Sequence, residues 1–510
     1  MNSRLKKILF LALAAGLLAG SGRLQKSLNH DREALGLTRT TALDNAPPML
    51  AFTTVALGGF RGLISNFLWV RANDLQQDDK FFEAAQLADW ITKLEPTFAQ
   101  VWIFQAWNMA YNISVKFKDF PDRWRWVERG IGLLRDEALR YNPNNVDIYR
   151  DLSWMFQHKM GQNLDDANLY YKSQWAAEMK DFFGPNGTNF TALLQPQTAA
   201  ELTQLQLFTN KYKLSPQFAR TVDDQYGPFD WRLPEAHAIY WAARGLAEAR
   251  EHPDKVKADD LIKLRRSIYQ DMLQAFHHGK VIPDPIAHTY SLGPNLDLAG
   301  RVNWVYEQMF TEETESAMRD GILKAHRNFL RDAVYFLYEA NRTAEAAKWF
   351  KYLGDKFPDK PIIDTRPDSL PKTLTLDEYA VAVVQIDIDE TSQERVTAAI
   401  KGLLIRAYHE MAIGMDDRYQ GYKNLAQKIY AKYMASTAMA NGNKRIPLPP
   451  YNALNQTVLN ELLDQERGFP YAARAVLRTQ LGLPAEVPIA AATNAVPSAA
   501  ANIPTNSVPQ

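Results

Sequence analysis

A chain of 510 residues is longer than one hydrophobic core usually serves, so it holds either several domains or an elongated array that grows by stacking, and stacking fits better. Apolar residues at 46% and charged residues at 23% exclude a mainly disordered or fibrous chain. The balance of 58 Lys plus Arg against 58 Asp plus Glu leaves no basic field for nucleic acid, and the absence of cysteine removes disulfides, thiolate nucleophiles and cysteine-ligated metals together.

The chain begins with Arg4, Lys6 and Lys7 ahead of an uncharged run from Ile8 to Ala19, then small Gly20, Ser21 and Gly22. Residues 1–22 therefore read as a signal peptide or signal anchor, with the run shorter than the roughly 20 residues of a spanning helix. Basic residues before the run predict that the N-terminus stays cytoplasmic and the rest is translocated. Without cysteine, a lipoprotein anchor is excluded. Residues 23–48 are polar and close with Pro47-Pro48, the pattern of a linker. From Met49 to Val70 the chain is nearly all apolar, long enough for a second span. Arg61, the glycines at 58, 59 and 62, and the charges that follow favour instead a buried first helix of the body.

Residues 49–183 carry apolar side chains at three and four spacing, broken at Glu95-Pro96, Phe120-Pro121 and Asn142-Pro143-Asn144-Asn145. Helices in series follow, each folding back on the last. Ala138-Leu139, Asn142-Pro143, Tyr149, Leu152, Ser153 and Phe156 resemble the tetratricopeptide pattern, and Leu94-Glu95-Pro96 with Trp102, Ala106 and Met109 repeats the aromatic six residues after proline. Ala346, Phe350, Leu353 and Phe357-Pro358, with Asn341-Arg342 at a turn, are similar to the closing helix of a third copy. The resemblance implies an all-α fold of antiparallel helical hairpins stacked into a tetratricopeptide-like superhelical array, with divergent C-terminal helices. Pro96 and Pro143 stand 47 residues apart, more than the family's period of about 34, which places extra residues between Ile113 and Trp126.

Residues 184–233 read as an irregular insertion around a short helix. Residues 234–360 return to helical repeats, opened by Pro234 and Glu235, with a proline-punctuated loop from Val281 to Leu296. Residues 361–390 form a connector, in which Tyr379 to Ile388 is β-branched but reads as helix for want of a pairing strand. Residues 391–483 predict about four more helices. The stretch 484–510 is Ala, Pro, Asn, Ser and Thr with Glu486 its one charge, a disordered tail.

No P-loop, dinucleotide fingerprint, nucleophile elbow or HExxH occurs, so no catalytic residue, cofactor or metal site is assigned. His277, His278, Asp284 and His288 cluster, but adjacent helical histidines point about 100° apart and the spacing fits no ligand motif. Asp387, Asp389 and Glu390 fail the calcium-loop pattern, with Ser392 and Ala398 at its glycine and glutamate positions. All twelve tryptophans lie between Trp69 and Trp349. Those at repeat positions such as Trp102 read as packing, whereas Trp107, Trp124, Trp126 and Trp231 are the candidate partner-binding surface.

These features predict a membrane-tethered or exported scaffold in the bacterial cell envelope, outside the cytoplasmic membrane, which binds a protein or peptide on its concave face. An envelope glycan-binding protein and an accessory subunit of an export or assembly complex are the alternatives. Glycan cleavage is disfavoured, since Glu315-Ser316 is the one Glu-Ser pair and lacks the residues a lytic enzyme needs after it.

Overall fold

The computed structural model describes residues 61–284, 289–363, 366–384, 393–439 and 447–486, with scattered positions between 14 and 31. The signal segment and linker lie largely outside the described residues, as do His288, Asp387, Asp389, Glu390 and the tail from 487 on. Described residues are overwhelmingly helical, with one two-stranded ribbon, so the chain is all-α. Among them no helix is long and apolar enough to cross a membrane. The chain divides into two compact units, one of Met1–Trp175, Gln206–Ser215 and His237–Ile268, the other of Ala176–Leu205, Pro216–Ala236 and Tyr269–Gln510.

The first unit opens with α1 (Arg61–Gln77) and α2 (Phe81–Leu94), which pack together. α3 (Ala99–Trp107) passes into a π-helical turn over Asn108–Ile113. α4 (Phe120–Gly132) opens into a second π-helical turn at Leu133–Ala138 and closes at Leu139–Tyr141. α5 (Val146–Trp154) runs into a third over Met155–Gly161, and α6 (Asn168–Phe183) begins in this unit. Prolines set the breaks: Pro96 precedes α3, and Pro143 precedes α5, whose cap Asn145 accepts the N–H groups of Asp147 and Ile148 at 3.1 and 3.4 Å. α3 and α4 approach closely enough that a Cβ on Gly130 would stand 2.8 Å from the Ala106 carbonyl oxygen. Ala84, Ala88, Ile91, Val101, Ala106 and Ala110 are fully buried between these helices, small residues admitting close contact and aliphatic ones filling it.

Of the buried helix expected from Met49 to Val70, residues 49–60 lie outside the described residues, and the remainder, in α1, is only partly buried. Ser65, Ala72 and Leu75 face inward, but Leu63, Phe67 and Val70 are 65%, 72% and 61% exposed. One side of the helix packs on α2 and the other is largely exposed.

Three helices occupy the stretch expected to be irregular with one short helix: α7 (Thr191–Leu194), α8 (Ala199–Asn210) and α9 (Pro216–Tyr226). α10 (Pro234–Glu251) and α11 (Ala258–His278) follow. In the second unit the expected loop after α11 is a β-hairpin, β1 (Lys280–Asp284) against β2 (Thr289–Gly293), antiparallel with Ile282 opposite Ser291. Pro283 read as a breaker, yet a two-stranded ribbon has only edges, where a missing N–H is tolerated. α12 (Ala299–Glu312), α13 (Ser316–Glu339) and α14 (Thr343–Lys356) come next, the last two joined by Asn341 at φ 61°, a conformation asparagine accepts more readily than most residues.

α15 (Leu376–Val384) is helical, not a strand. α16 (Gln393–Ala412), α17 (Asp416–Met439), α18 (Tyr451–Leu463) and α19 (Tyr471–Gln480) complete the unit, with α16 packed on α17, α18 and α19. Their shared core includes Ile400, Leu404, Tyr422, Ile429, Val458 and Leu477. The ordered chain extends into the expected tail: Glu486 accepts from the Arg474 guanidinium at 2.6 and 2.8 Å, with both side chains buried.

Candidate functional site

The two proline breaks of the first unit are built alike. The Trp102 indole Nε1 donates to the Pro96 carbonyl at 2.9 Å, and the Tyr149 hydroxyl donates to the Pro143 carbonyl at 2.8 Å, each spanning six residues. Each aromatic thus closes the turn that starts its own helix. The correspondence continues along α3 and α5 at the same 47-residue offset. Trp107 matches Trp154, Tyr111 matches His158, and the π-helical turns begin at Asn108 and Met155. A π-helical turn inserts one extra residue into a helix, re-aims the side chains beyond it and is frequent at functional sites. The two turns touch each other in the structure.

Those matched positions form one run of rings. Trp107 stacks on Tyr111 at 5.4 Å and 21°, and Trp154 stacks on His158 at 4.4 Å and 14°. The Tyr111 hydroxyl lies 3.2 Å from His158 Nδ1, joining the pairs at a ring distance of 5.7 Å. Trp107 and Trp154 are 38% and 39% exposed, enough to present a face while the inner rings stay half-buried. Burial lowers the proton affinity of His158, helped by the Lys159 ammonium beside it. Burial also raises the Tyr111 hydroxyl and lifts the neighbouring Asp151 carboxyl to about 6.

Beside the rings a cleft of about 320 Å³ is lined by Tyr111, Val115, Arg123, His158, Leu164 and Asp166 among others. At its floor the buried Lys159 binds Asp165 and lies 5.2 Å over the Tyr111 ring. Asp165 also accepts from Arg123 at 3.2 Å, from the Tyr171 hydroxyl at 3.2 Å and from the Ala167 N–H at 2.9 Å. Arg123 reaches Asp166 and donates to the Phe117 carbonyl at 2.8 Å. Burial alone would raise the Asp165 carboxyl, but Lys159 and the Ala167 N–H hold it below its ordinary range. The two cations and two anions compensate one another, so the cluster braces the cleft and leaves no free field. Val115 and Leu164, 48% and 69% exposed, supply an apolar rim. Stacking faces, an apolar rim and internally satisfied charge suit the capture of a largely apolar, flat or extended ligand.

Of the four tryptophans expected at a surface, Trp107 belongs to this run. Trp124 does not: it is 7% exposed and packs on Tyr171 at 5.9 Å. α4 already begins at Phe120, which puts Trp124 on the inward face with Val127 and Ile131. Trp126, two positions on, is half-buried against Phe82 and Phe117 with Arg129 over its ring at 5.5 Å. Trp231, in the second unit, is fully buried, stacked on Phe183 and donating to Asp223 at 2.9 Å. The loop around it is closed by a buried Asp230–Arg232 pair whose carboxylate also accepts the Val281 N–H. Proximity to loops therefore misled: an indole with a carboxylate for its N–H is a core residue wherever the chain turns. Trp154 and His158 were missed, although their offset from Trp107 and Tyr111 equals the offset between the two prolines.

Among the described residues, the members of the histidine cluster near the hairpin do not converge. His277 faces Asp332 at 3.8 Å, and Asp284 faces His409 at 3.3 Å. Among the described residues no group of three carboxylates or histidines is arranged to hold a metal ion.

No protein-family model matches this sequence, and no curated protein is significantly similar to it.

Proposed function

We propose that the protein is a tetratricopeptide-like scaffold of the bacterial cell envelope, tethered to or exported across the cytoplasmic membrane by its N-terminal segment, and that it binds a protein or peptide partner along α3 and α5. The observation that carries this reading is the matched construction of α3 and α5. Both start at a proline closed by an aromatic donor, and both present a tryptophan stacked one turn before a second ring. Stacked repeats present extended binding surfaces, and recurrence of a half-exposed ring pair on α3 and α5 is what such a surface would offer an extended segment. The exposed Val115 and Leu164 give the cleft an apolar rim that suits the apolar side chains of a peptide. The site's cations and carboxylates are paired with one another.

Co-purification from crosslinked envelope fractions tests this, comparing the full chain with the Trp107→Ala/Trp154→Ala variant. Specific proteins captured by the first and lost with the second support the scaffold. Enrichment of polysaccharide alone would transfer the stack to a glycan-binding role, which the parallel rings also suit.

A further inference from the structure

The most exposed apolar side chains of the first unit include three on α1, outside the aromatic run. Leu63, Phe67 and Val70 recur at four and three spacing, which puts them on one face of the helix. They are 65%, 72% and 61% exposed. The helix cannot turn to hide them, because its opposite face is fixed: Ala72 and Leu75 are buried, and Leu68 and Trp69 pack with Ile91, Val101, Phe98 and Phe104. Trp69 meets Phe104 edge-on at 4.9 Å. Asp74, one turn beyond Val70, is exposed and ends the apolar stripe.

Sequence continuity identifies what covers this face. From Asn45 to Phe60, immediately ahead of α1, there is no charged residue, so the stripe is the described end of a longer apolar segment. The other uncharged run, Ile8 to Ala19, lies a few tens of residues upstream behind Arg4, Lys6 and Lys7. Leu17 in that run is also exposed. Two apolar segments in the first 70 residues, the first with the charge pattern that directs chains to a membrane, place a lipid surface within reach of α1. A helix with Leu, Phe and Val on one side and the protein on the other fits an interfacial position in the bilayer, with Arg71 at the headgroup level.

We infer that α1 is a lipid-contacting foot: Leu63, Phe67 and Val70 enter the interfacial region of the bilayer and fix the first unit against the membrane. This rests on the membrane-tether reading and adds a second, structured point of contact to it. The cysteine-free chain allows a direct test. Full-length Phe67→Cys and, as a control, Arg125→Cys on the exposed side of α4 are each labelled with an environment-sensitive nitrobenzoxadiazole probe. Both are mixed with vesicles of phosphatidylethanolamine and phosphatidylglycerol and separated by flotation. The expected result is a blue-shifted, several-fold brighter emission at 67 that nitroxide-bearing lipids quench, with water-like emission at 125. A chain that floats while the probe at 67 stays water-like overturns the inference and leaves the tether intact. A chain that does not float overturns the tether. Emission at 67 that is already blue without vesicles and strengthens with protein concentration overturns the inference in favour of a second copy covering the face.

Discussion

The Tyr149 hydroxyl closes the second proline turn, with the Arg244 side chain also beside it. Tyr149→Phe removes the donor to the Pro143 carbonyl and keeps the ring. It should lower stability by about 1 kcal/mol, the usual net value of such a bond, read as a lower urea midpoint at unchanged slope. His326 carries a pH dependence of opposite origin. It is buried, stacked on Tyr306 at 4.7 Å and hydrogen-bonded to Asn303 at 2.8 Å, and burial lowers its pKa to about 4, with Lys356 nearby adding to the effect. The unfolded chain takes up the proton near the ordinary value of about 6.5, the folded chain only near 4. The residue therefore costs nothing above 6.5 and destabilises progressively as pH falls from 6.5 towards 4. Urea midpoints across that window should fall less steeply for His326→Gln than for the parent chain, and equal slopes would rule out a neutral buried imidazole. In the sequence His326 is one more histidine in an amphipathic helix; burial against residues such as Tyr306 of α12, and Lys356 brought from α14, decide its charge.

Elements fix how far the repeated construction can be altered. Gly130 lies near the end of α4 without a positive φ, so its role is proximity and not backbone freedom. A methyl there would meet the Ala106 carbonyl oxygen at 2.8 Å and the Ala110 Cβ at 3.4 Å. Gly130→Ala should thus destabilise by roughly 1–3 kcal/mol through overpacking, against the small gain that alanine brings to an unpacked helix. A calorimetric melting point that rises instead would show that α3 and α4 can separate without cost. The helices themselves were legible because proline breaks and apolar spacing are local signals, whereas α15 read as helix despite its β-branched residues because no nearby strand could pair with it. The β-hairpin was not legible: five residues per strand with Pro283 inside carry too little periodic signal, and its pairing is made across the turn. Likewise the π-helical turns leave no local mark, since one extra residue per helix is set by what the helix packs against.

Across the whole molecule the equal numbers of acidic and basic residues remove long-range steering. Partner association through the ring run should change little with ionic strength, within about threefold between low and high salt, unlike charge-steered pairs that fall by tenfold or more. Stopped-flow rates with the co-purified partner decide this, and a steep salt dependence would move the interface to a charged surface. The Trp107→Ala/Trp154→Ala variant removes two stacked rings that are each more than half buried, so it should lower stability by roughly 2–4 kcal/mol while the chain still folds. Lost partner capture by a variant whose circular dichroism and cooperative unfolding stay native-like is the joint outcome expected.

By itself the sequence determined the helical class, the proline turns and their closing aromatics, and the N-terminal charge pattern, because each rests on neighbours within about six residues or on composition. Tertiary structure alone decided which tryptophans are surface and which are core. Trp124 and Trp231 are enclosed by Tyr171 and by Phe183 with Asp223, whereas Trp107 and Trp154 are left half open. It also decided that Leu63, Phe67 and Val70 face outward, for an apolar stripe looks the same in sequence whether a core or a membrane covers it. Burial depends on partners distant in the chain, and no local pattern encodes them.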